Sequence, residues 1–250
     1  MLLKGKVALI TGSARGTGAG IAHVFAQHGA RVVVNQVKDE GDPEAVMSSL
    51  KEAGADALFV KADVTDKAQV AEMIEQTERA FGGVDILVNN YAASVPRSLF
   101  MDSQWSAWQE QFDYTVKAAH VCCQAVVPGM RERKWGRLIS VNTVGIHQPR
   151  LTYHGYTAAK TAMLGFSRNL AAEVGVDNIT VNVVSPGLTL TKEVQARLSP
   201  EERASHIKRI PMGRVGTVED TANAALFLAS DLGSFVTGHY LPVCGGQVFV

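Results

Sequence analysis

Short runs rich in valine, isoleucine and leucine alternate with helical patterns almost from end to end of this chain. Seven of these runs are predicted strands, at residues 7–10, 31–34, 57–61, 86–89, 137–141, 180–184 and 240–243. Most are continuously apolar, as expected of parallel strands that are covered on both faces. The intervening segments 18–28 and 65–81 have helical spacing, and a glycine closes each. This alternation predicts an α/β fold with a doubly wound parallel sheet of seven strands, helices on both faces, and ligands at the carboxyl ends of the strands.

Composition favours one globular unit without a charged macromolecular partner. The 250 residues are 46% hydrophobic and 19% charged, which suits one substantial core. Two domains are possible at this length, but no linker-like segment marks a boundary, so we expect a single domain over residues 1–250. Because 24 basic residues balance 24 acidic ones, no electrostatic argument supports nucleic acid or an anionic membrane as a partner.

The cysteine content and hydropathy indicate no disulfide, metal or membrane segment. Cys122, Cys123 and Cys244 form neither a Cys-x-x-Cys pair nor a disulfide framework. Adjacent cysteines in an apolar stretch more often fill a core than bind a metal. No apolar run is long enough to span a bilayer or to form the core of a signal peptide. We therefore expect a cytoplasmic protein without a metal.

A glycine-rich turn, Thr11-Gly12-Ser13-Ala14-Arg15-Gly16-Thr17-Gly18, follows the first predicted strand and precedes a helix. Glycines permit a tight turn and let the backbone approach a pyrophosphate, which the helix N-terminus then stabilises. The alternative is an ordinary strand–helix turn. The position between the first strand and a helix favours dinucleotide binding.

The spacing Gly-x-x-x-Gly-x-Gly resembles that of the short-chain dehydrogenase/reductases, which have a Rossmann-type fold. The resemblance continues along the chain through Asp63-Val64, Asn89-Asn90-Tyr91-Ala92, the pair Tyr156 and Lys160, and Pro186-Gly187 with Thr191. In that family these motifs hold the adenine, end the fourth strand, perform catalysis and contact the nicotinamide side. The resemblance therefore implies cofactor-binding residues at Gly12, Ser13, Arg15, Gly16, Thr17, Gly18, Gln36, Lys38, Asp63, Val64, Asn90, Tyr91, Ala92, Tyr156, Lys160, Pro186, Gly187, Thr189 and Thr191.

Charge near the end of the second strand favours NADPH over NADH. An acid there would bind both ribose hydroxyls and repel a 2′-phosphate, but the sequence has Gln36 where the acid is expected. Arg15 and Lys38 supply positive charge close to the same point, and an arginine is well shaped to bind phosphate. The alternative is that both are simply exposed surface cations.

Tyr156 and Lys160 lie one helical turn apart in Tyr-Thr-Ala-Ala-Lys. Positions i and i+4 share a helix face, so the phenol and the ammonium can converge. An ammonium stabilises phenolate, so we expect a lowered pKa for Tyr156 and a tyrosine able to donate and accept a proton.

The usual active site of the family is Asn-Ser-Tyr-Lys, and two positions depart from it. Counting back thirteen residues from Tyr156 gives Thr143 for the serine, although the adjacent Asn142 makes that count easy to misassign. Counting seven on from Trp108 gives Thr115 for the asparagine. Threonine keeps the serine hydroxyl that polarises a carbonyl. It offers less reach in place of the asparagine, which is thought to hold a helix kink and a water that links the lysine to solvent.

Tyr91-Ala92 is a third departure, since the family has Ala-Gly there. The bulky Tyr91 must either point into the core or line the cofactor pocket, and the sequence does not decide between the two.

The mechanism that the resemblance implies is hydride transfer between nicotinamide C4 and a carbonyl carbon, in either direction. Tyr156 protonates the oxygen, Lys160 lowers the tyrosine pKa and binds the nicotinamide ribose, and Thr143 holds the oxygen. His147 and His154 flank this region, but a loop histidine is more often a surface or supporting residue.

A different hypothesis is an NADP(H)-binding protein with weak or no turnover, acting as a sensor or an oligomer partner.

Substrate contacts in this family come from loops at residues 93–100, 145–153 and 188–212, the last of which we expect to be a mobile lid. The candidate contacts in those loops are Val95, Pro96, Ile146, Tyr153, Leu188, Leu190 and Met212. They suit a medium-sized carbonyl compound with an apolar part, and no arginine cluster is evident that would demand an acid group. Similarity is greatest to 3-oxoacyl-carrier-protein-reductase-like members.

The family also implies a homotetramer, formed through helices near residues 104–130 and 156–174 and the C-terminal strand.

Overall fold

The computed structural model describes residues 1–148 and 150–250. Its core is a parallel sheet of seven strands in the order β3-β2-β1-β4-β5-β6-β7. The strands are β1 (Val7–Ile10), β2 (Arg31–Gln36), β3 (Ala57–Lys61), β4 (Ile86–Asn89), β5 (Gly136–Val141), β6 (Ile179–Pro186) and β7 (Tyr240–Val243). All seven predicted strands are confirmed, and β2, β5 and β6 are slightly longer than predicted. The order reverses between β1 and β4, which makes a doubly wound sheet with a crevice at that point.

Helices cover both faces of the sheet, as the continuous apolar strands predict. They are α1 (Gly16–Gln27), α2 (Pro43–Glu52), α3 (Lys67–Phe81), α4 (Trp105–Phe112), α5 (Ala118–Arg133), α6 (His154–Val174), α7 (Lys192–Arg197), α8 (Pro200–Ile207) and α9 (Val218–Ala229). In β1, Leu9 packs in a core that includes residues of α3, α5 and α6, whereas Ile10 packs in a second core that includes residues of α1 and α9. Each side of the strand therefore faces a different helix layer.

The helices α4 and α5 are joined by a π-helical turn, Asp113–Lys117, rather than by a loop. Such a turn widens the helix by one residue and often marks a functional position. Thr115, the residue predicted to replace the asparagine of the family, lies inside this turn and is buried.

The stretch 188–212 contains α7 and α8. It is tied to the body by hydrogen bonds between Leu190 and Gly216 and between Gly216 and Leu188.

Among the described residues, no helix combines the length and apolar character needed to cross a membrane, and no cluster of three or more His, Cys, Asp or Glu residues is arranged to hold a metal.

Candidate active site

The glycine-rich turn lies in the crevice between β1 and β4. Gly12 and Gly16 have φ values of 62° and 55°, which favour glycine. A Cβ on Gly18 would come within 2.7 Å of the Gly12 carbonyl oxygen. Arg15, the N-cap residue of α1, makes no side-chain capping hydrogen bond, and the first turn of this helix holds no acid. The free N–H groups and the positive end of the helix dipole therefore fit a pyrophosphate.

A cavity of about 510 Å³ adjoins this turn. Predicted cofactor residues that line it are Gly12, Arg15, Gly16, Thr17, Gly18, Gln36, Lys38, Asn90, Tyr91, Ala92 and Thr191. Ser13 instead holds β1 to β2, because its hydroxyl donates to the Ile10 carbonyl at 2.7 Å and accepts from the Asn35 N–H at 3.1 Å. A cavity of this size and lining fits a nicotinamide dinucleotide.

Two acids that sequence reasoning missed accompany the cations of this cavity. Arg15 pairs with Glu40, and the Lys38 ammonium lies 3.2 Å from a Glu110 carboxylate oxygen. That hydrogen bond to Glu110 raises the pKa of Lys38. Gln36 donates to the Glu40 carbonyl at 3.2 Å. Glu40 is close to Lys38 in the sequence, so its charge could have been considered there. Glu110 comes from α4, more than seventy residues away, and no local pattern indicates it.

Tyr91 both lines the cofactor cavity and packs against the core. Its ring meets that of Tyr114 edge-on, with centroids 5.1 Å apart. A Cβ on Gly12 would lie 2.9 Å from a Tyr91 ring carbon, so the tyrosine closes over the glycine turn. Tyr114 in turn donates to an Asp63 carboxylate oxygen at 3.2 Å. The two tyrosines thus form one wall that connects the glycine turn with the predicted adenine-binding aspartate.

The helix α6 carries Tyr156 and Lys160 to the carboxyl end of β5. Lys160 is 4% exposed, and its ammonium donates to the Val141 carbonyl at 2.7 Å. Burial without an acid partner lowers the Lys160 pKa to about 8. The ammonium lies 5.9 Å from the centre of the Tyr156 ring.

The expected lowering of the Tyr156 pKa is not seen in the protein alone. Burial raises that pKa, while a hydrogen bond with Thr143 and the charge of Arg150 oppose the rise. Desolvation of the phenolate therefore outweighs the attraction of its neighbours.

Thr143 is held in place through its backbone and through its hydroxyl, which accepts from the Gly145 N–H at 3.0 Å. Its N–H donates to the Asn142 side-chain oxygen at 2.7 Å, and its carbonyl accepts from the Tyr240 hydroxyl at 3.0 Å. Asn142 also donates to the Lys160 carbonyl at 2.8 Å. Asn142 therefore links the loop after β5 to the catalytic helix, a bridging role that the sequence analysis missed.

A small cavity of about 10 Å³ lies between Thr115 and Lys160. This is about the space that one water molecule needs. Tyr91, Tyr114 and Val64 complete part of its wall. The side chain at position 115 therefore borders the region behind the lysine, where the asparagine of the family is expected.

A second large cavity, of about 410 Å³, lies on the tyrosine side of the site. Lining residues named from the sequence are Thr17, Val95, Thr143, Tyr153, Tyr156, Pro186, Gly187, Leu188, Thr189 and Thr191. Arg97, Arg150 and Arg197 also line it, a grouping that the sequence analysis did not identify. Arg97 and Arg150 come from two loops and Arg197 from the end of α7, so the three meet only in the folded chain.

Other candidates lie outside this cavity. Leu190 lines a neighbouring cavity between α1, α2 and α7, and Met212 lines another beside β7. The His154 ring stacks on Trp108 and the His147 ring packs against Tyr240, and neither is among the described residues that line the cavity. Packing accounts for both histidines.

Comparison with known proteins identifies the family of the chain. A family described as Enoyl-(Acyl carrier protein) reductase matches residues 12–247. The 3-oxoacyl-[acyl-carrier-protein] reductase FabG of Escherichia coli is 36% identical over 251 residues, covering 100% of both chains. A 3alpha-hydroxysteroid dehydrogenase of Mediterraneibacter gnavus is 40% identical over 247 residues, covering 98% of each. The chain therefore belongs to the short-chain dehydrogenase/reductase family, as an oxidoreductase that uses a nicotinamide cofactor and acts on CH–OH or C=O groups.

Proposed function

We propose that this protein reduces a ketone with NADPH, or oxidises the corresponding alcohol, with Tyr156 as the general acid/base. The observation that carries the proposal is that two cavities share lining residues, among them Thr17 and Thr191. One adjoins the glycine-rich turn (the cofactor cavity), and the other lies beside Tyr156 (the tyrosine cavity). A cofactor in the first cavity and a carbonyl compound in the second would meet at Tyr156. When bound, the nicotinamide supplies or accepts the hydride.

The residues of the chain position the carbonyl oxygen and provide its proton. The Thr143 hydroxyl is placed to donate a hydrogen bond to the substrate oxygen beside the phenol. Tyr156 donates its proton to the forming alkoxide, and its raised pKa keeps it protonated at neutral pH for that step. Lys160, anchored to Val141, places a positive charge behind the phenol that stabilises the phenolate left after transfer.

Proton resupply would run through the region of Thr115. The small cavity between Thr115 and Lys160 has room for one water that could accept hydrogen bonds from the ammonium. Thr115 would then hold that water through its hydroxyl, in the place of the asparagine side chain of the family.

The preference for NADPH rests on Arg15 and Lys38, with Gln36 in place of an acid. Each cation has a carboxylate partner, Glu40 or Glu110, so a 2′-phosphate would exchange one anion for another. Arg15→Ala should therefore weaken NADPH binding about tenfold or more, and NADH binding much less. Glu40→Gln is the matched control, because it frees Arg15 and should strengthen NADPH binding. Equal losses for both cofactors in Arg15→Ala would contradict the assignment.

Turnover is tested by following the absorbance of reduced nicotinamide with a panel of ketones and 3-oxoacyl thioesters, in the wild type and in Tyr156→Phe. We expect oxidation of NADPH that falls about 10²-fold or more in the variant, with cofactor binding retained. Tight NADPH binding without turnover in either direction would instead support the sensor hypothesis.

We also propose a homotetramer. Large apolar side chains are exposed on α4 and beside β7, at Trp105, Phe235 and Phe249, and such exposure is typical of interfaces. Light scattering after size-exclusion chromatography would give the mass, and a monomer would contradict this proposal.

A further inference from the structure

The cavity beside Tyr156 has a one-sided charge. Arg97 is in the loop after β4, Arg150 in the loop after β5, and Arg197 is the last residue of α7. No aspartate or glutamate is among the described residues that line this cavity. Three cations around a partly enclosed space, without an acid in its wall, attract and concentrate anions.

Two of the guanidinium groups lie next to the same aromatic ring. The Arg97 guanidinium carbon is 5.3 Å from the centre of the Tyr153 ring, and that of Arg150 is 6.0 Å from it. Tyr153 in turn packs edge-on against Tyr156, with ring centroids 6.1 Å apart. One aromatic ring therefore separates this pair of cations from the general acid/base.

Neither guanidinium is neutralised by a residue that the structure describes. Among residues 1–148 and 150–250, no carboxylate lies within ion-pair distance of Arg97 or Arg150, whereas Arg15, Arg131 and Arg214 each have an acid partner. The field of Arg150 reaches both the Tyr156 phenol and His206 on α8. Arg150 also lines the same cavity as Tyr156 and Leu188, so it is close to both the tyrosine and the 188–212 stretch.

Arg197 differs from the other two arginines because it lines the cofactor cavity as well as this one. Its charge could be used by the cofactor phosphates. Arg97 and Arg150 line the tyrosine cavity and are absent from the lining of the cofactor cavity, so only these two are assigned to the substrate.

We propose that the substrate is a carbonyl compound with an anionic oxygen group, a carboxylate or a phosphate, bound by Arg97 and Arg150 while its carbonyl oxygen reaches Tyr156 and Thr143. This inference rests on the proposed reductase function and names its substrate class. The planar guanidinium binds either anion through two parallel hydrogen bonds. The anion fixes the distance from the carbonyl to the arginines and so orients the reacting carbon.

The test compares each anionic substrate with its neutral counterpart. The carboxylate arm uses 2-, 3-, 4- and 5-oxohexanoate against their methyl esters, and the phosphate arm uses dihydroxyacetone phosphate against dihydroxyacetone. We expect kcat/KM for the best anion to exceed that of its neutral partner by about tenfold or more in the wild type. The arm that shows the preference identifies the anion.

The double variant Arg97→Gln/Arg150→Gln should lose most of this preference, and Arg97→Lys/Arg150→Lys should keep part of it. Arg79→Gln is the control, since Arg79 is an exposed arginine on α3, away from the cavity. Added NaCl should lower kcat/KM for the anion more than for the neutral compound. Equal rates for anions and neutral partners in the wild type, or an unchanged preference in the double variant, would overturn the proposal.

Calorimetric titration of the same anions into protein with saturating NADP⁺ separates this proposal from the proposed function. Binding that depends on Arg97 and Arg150 without any turnover would retain the anion site and refute the reductase. Turnover of neutral ketones without anion binding would retain the reductase and refute the anion site.

Discussion

Replacing Lys160 by methionine should make the protein more stable at neutral pH while it abolishes catalysis. The lysine is 4% exposed and has a carbonyl, not an acid, as its hydrogen-bond partner. Burial lowers its pKa from 10.5 to about 8. At about 1.4 kcal/mol per pKa unit, holding the charged form in the native state at pH 7 costs about 3 kcal/mol.

The net gain is smaller because methionine cannot donate to the Val141 carbonyl. A hydrogen bond from a charged donor contributes about 2 kcal/mol, so we expect Lys160→Met to raise the free energy of unfolding by about 1 kcal/mol at pH 7. Methionine also fills the space with a flexible apolar side chain of similar length.

The stability difference between Lys160→Met and the wild type should change with pH in a direction set by the lowered pKa of Lys160. Below the folded pKa of about 8, the lysine is protonated in both states and the wild type bears the full cost. Between about 8 and 10.5 the native state loses its proton while the unfolded chain keeps it, so the wild type gains stability as the pH rises. The advantage of the variant should therefore shrink over this interval. Groups common to both proteins, such as the buried cysteines, cancel in the difference.

Urea denaturation without nucleotide, at intervals from pH 7 to 10, measures this difference directly. Lys208→Met, an exposed lysine just after α8, is the control and should change stability little at every pH. A Lys160→Met variant that is less stable than the wild type at pH 7, or whose difference does not vary with pH, would refute the reasoning.

Three further predictions concern single side chains. Thr143→Ser should keep kcat within about threefold, whereas Thr143→Val should lower kcat about 10²-fold, because only the hydroxyl polarises the substrate carbonyl. Steady-state kinetics of the two variants measures this difference. Gly20→Ala should destabilise the protein by about 1–3 kcal/mol in urea denaturation, because its Cβ would lie 1.9 Å from a Val218 methyl. Thr115→Asn should hold or raise turnover if position 115 supports proton resupply, and a collapse of kcat in the same assay would show that Thr115 has another role.

Local sequence was sufficient for the seven strands and for α1 and α3. The apolar runs gave all seven strands because residues on both faces of a covered parallel strand must be apolar. The ending of α3 at Gly82, with φ of 88°, follows from the glycine itself. Tyr156 and Lys160 could be paired because their separation is set by a single helix.

Features that join distant segments could not be read in the same way. The partner of Lys38 is Glu110, and the wall over the glycine turn pairs Tyr91 with Tyr114. The Tyr156 pKa was expected to fall, yet it rises because desolvation depends on how much protein surrounds the ring.

The sequence by itself determined the parallel α/β fold and the family motifs, because periodicity, glycine spacing and an i, i+4 pair act within a few residues. Only the tertiary structure decided the environment of those motifs. It brought Arg97 and Arg150 from two loops and Arg197 from the end of α7 to one cavity, and it buried Lys160 with a carbonyl as its hydrogen-bond partner. Charge and desolvation act through space, and the chain must fold before either can be known.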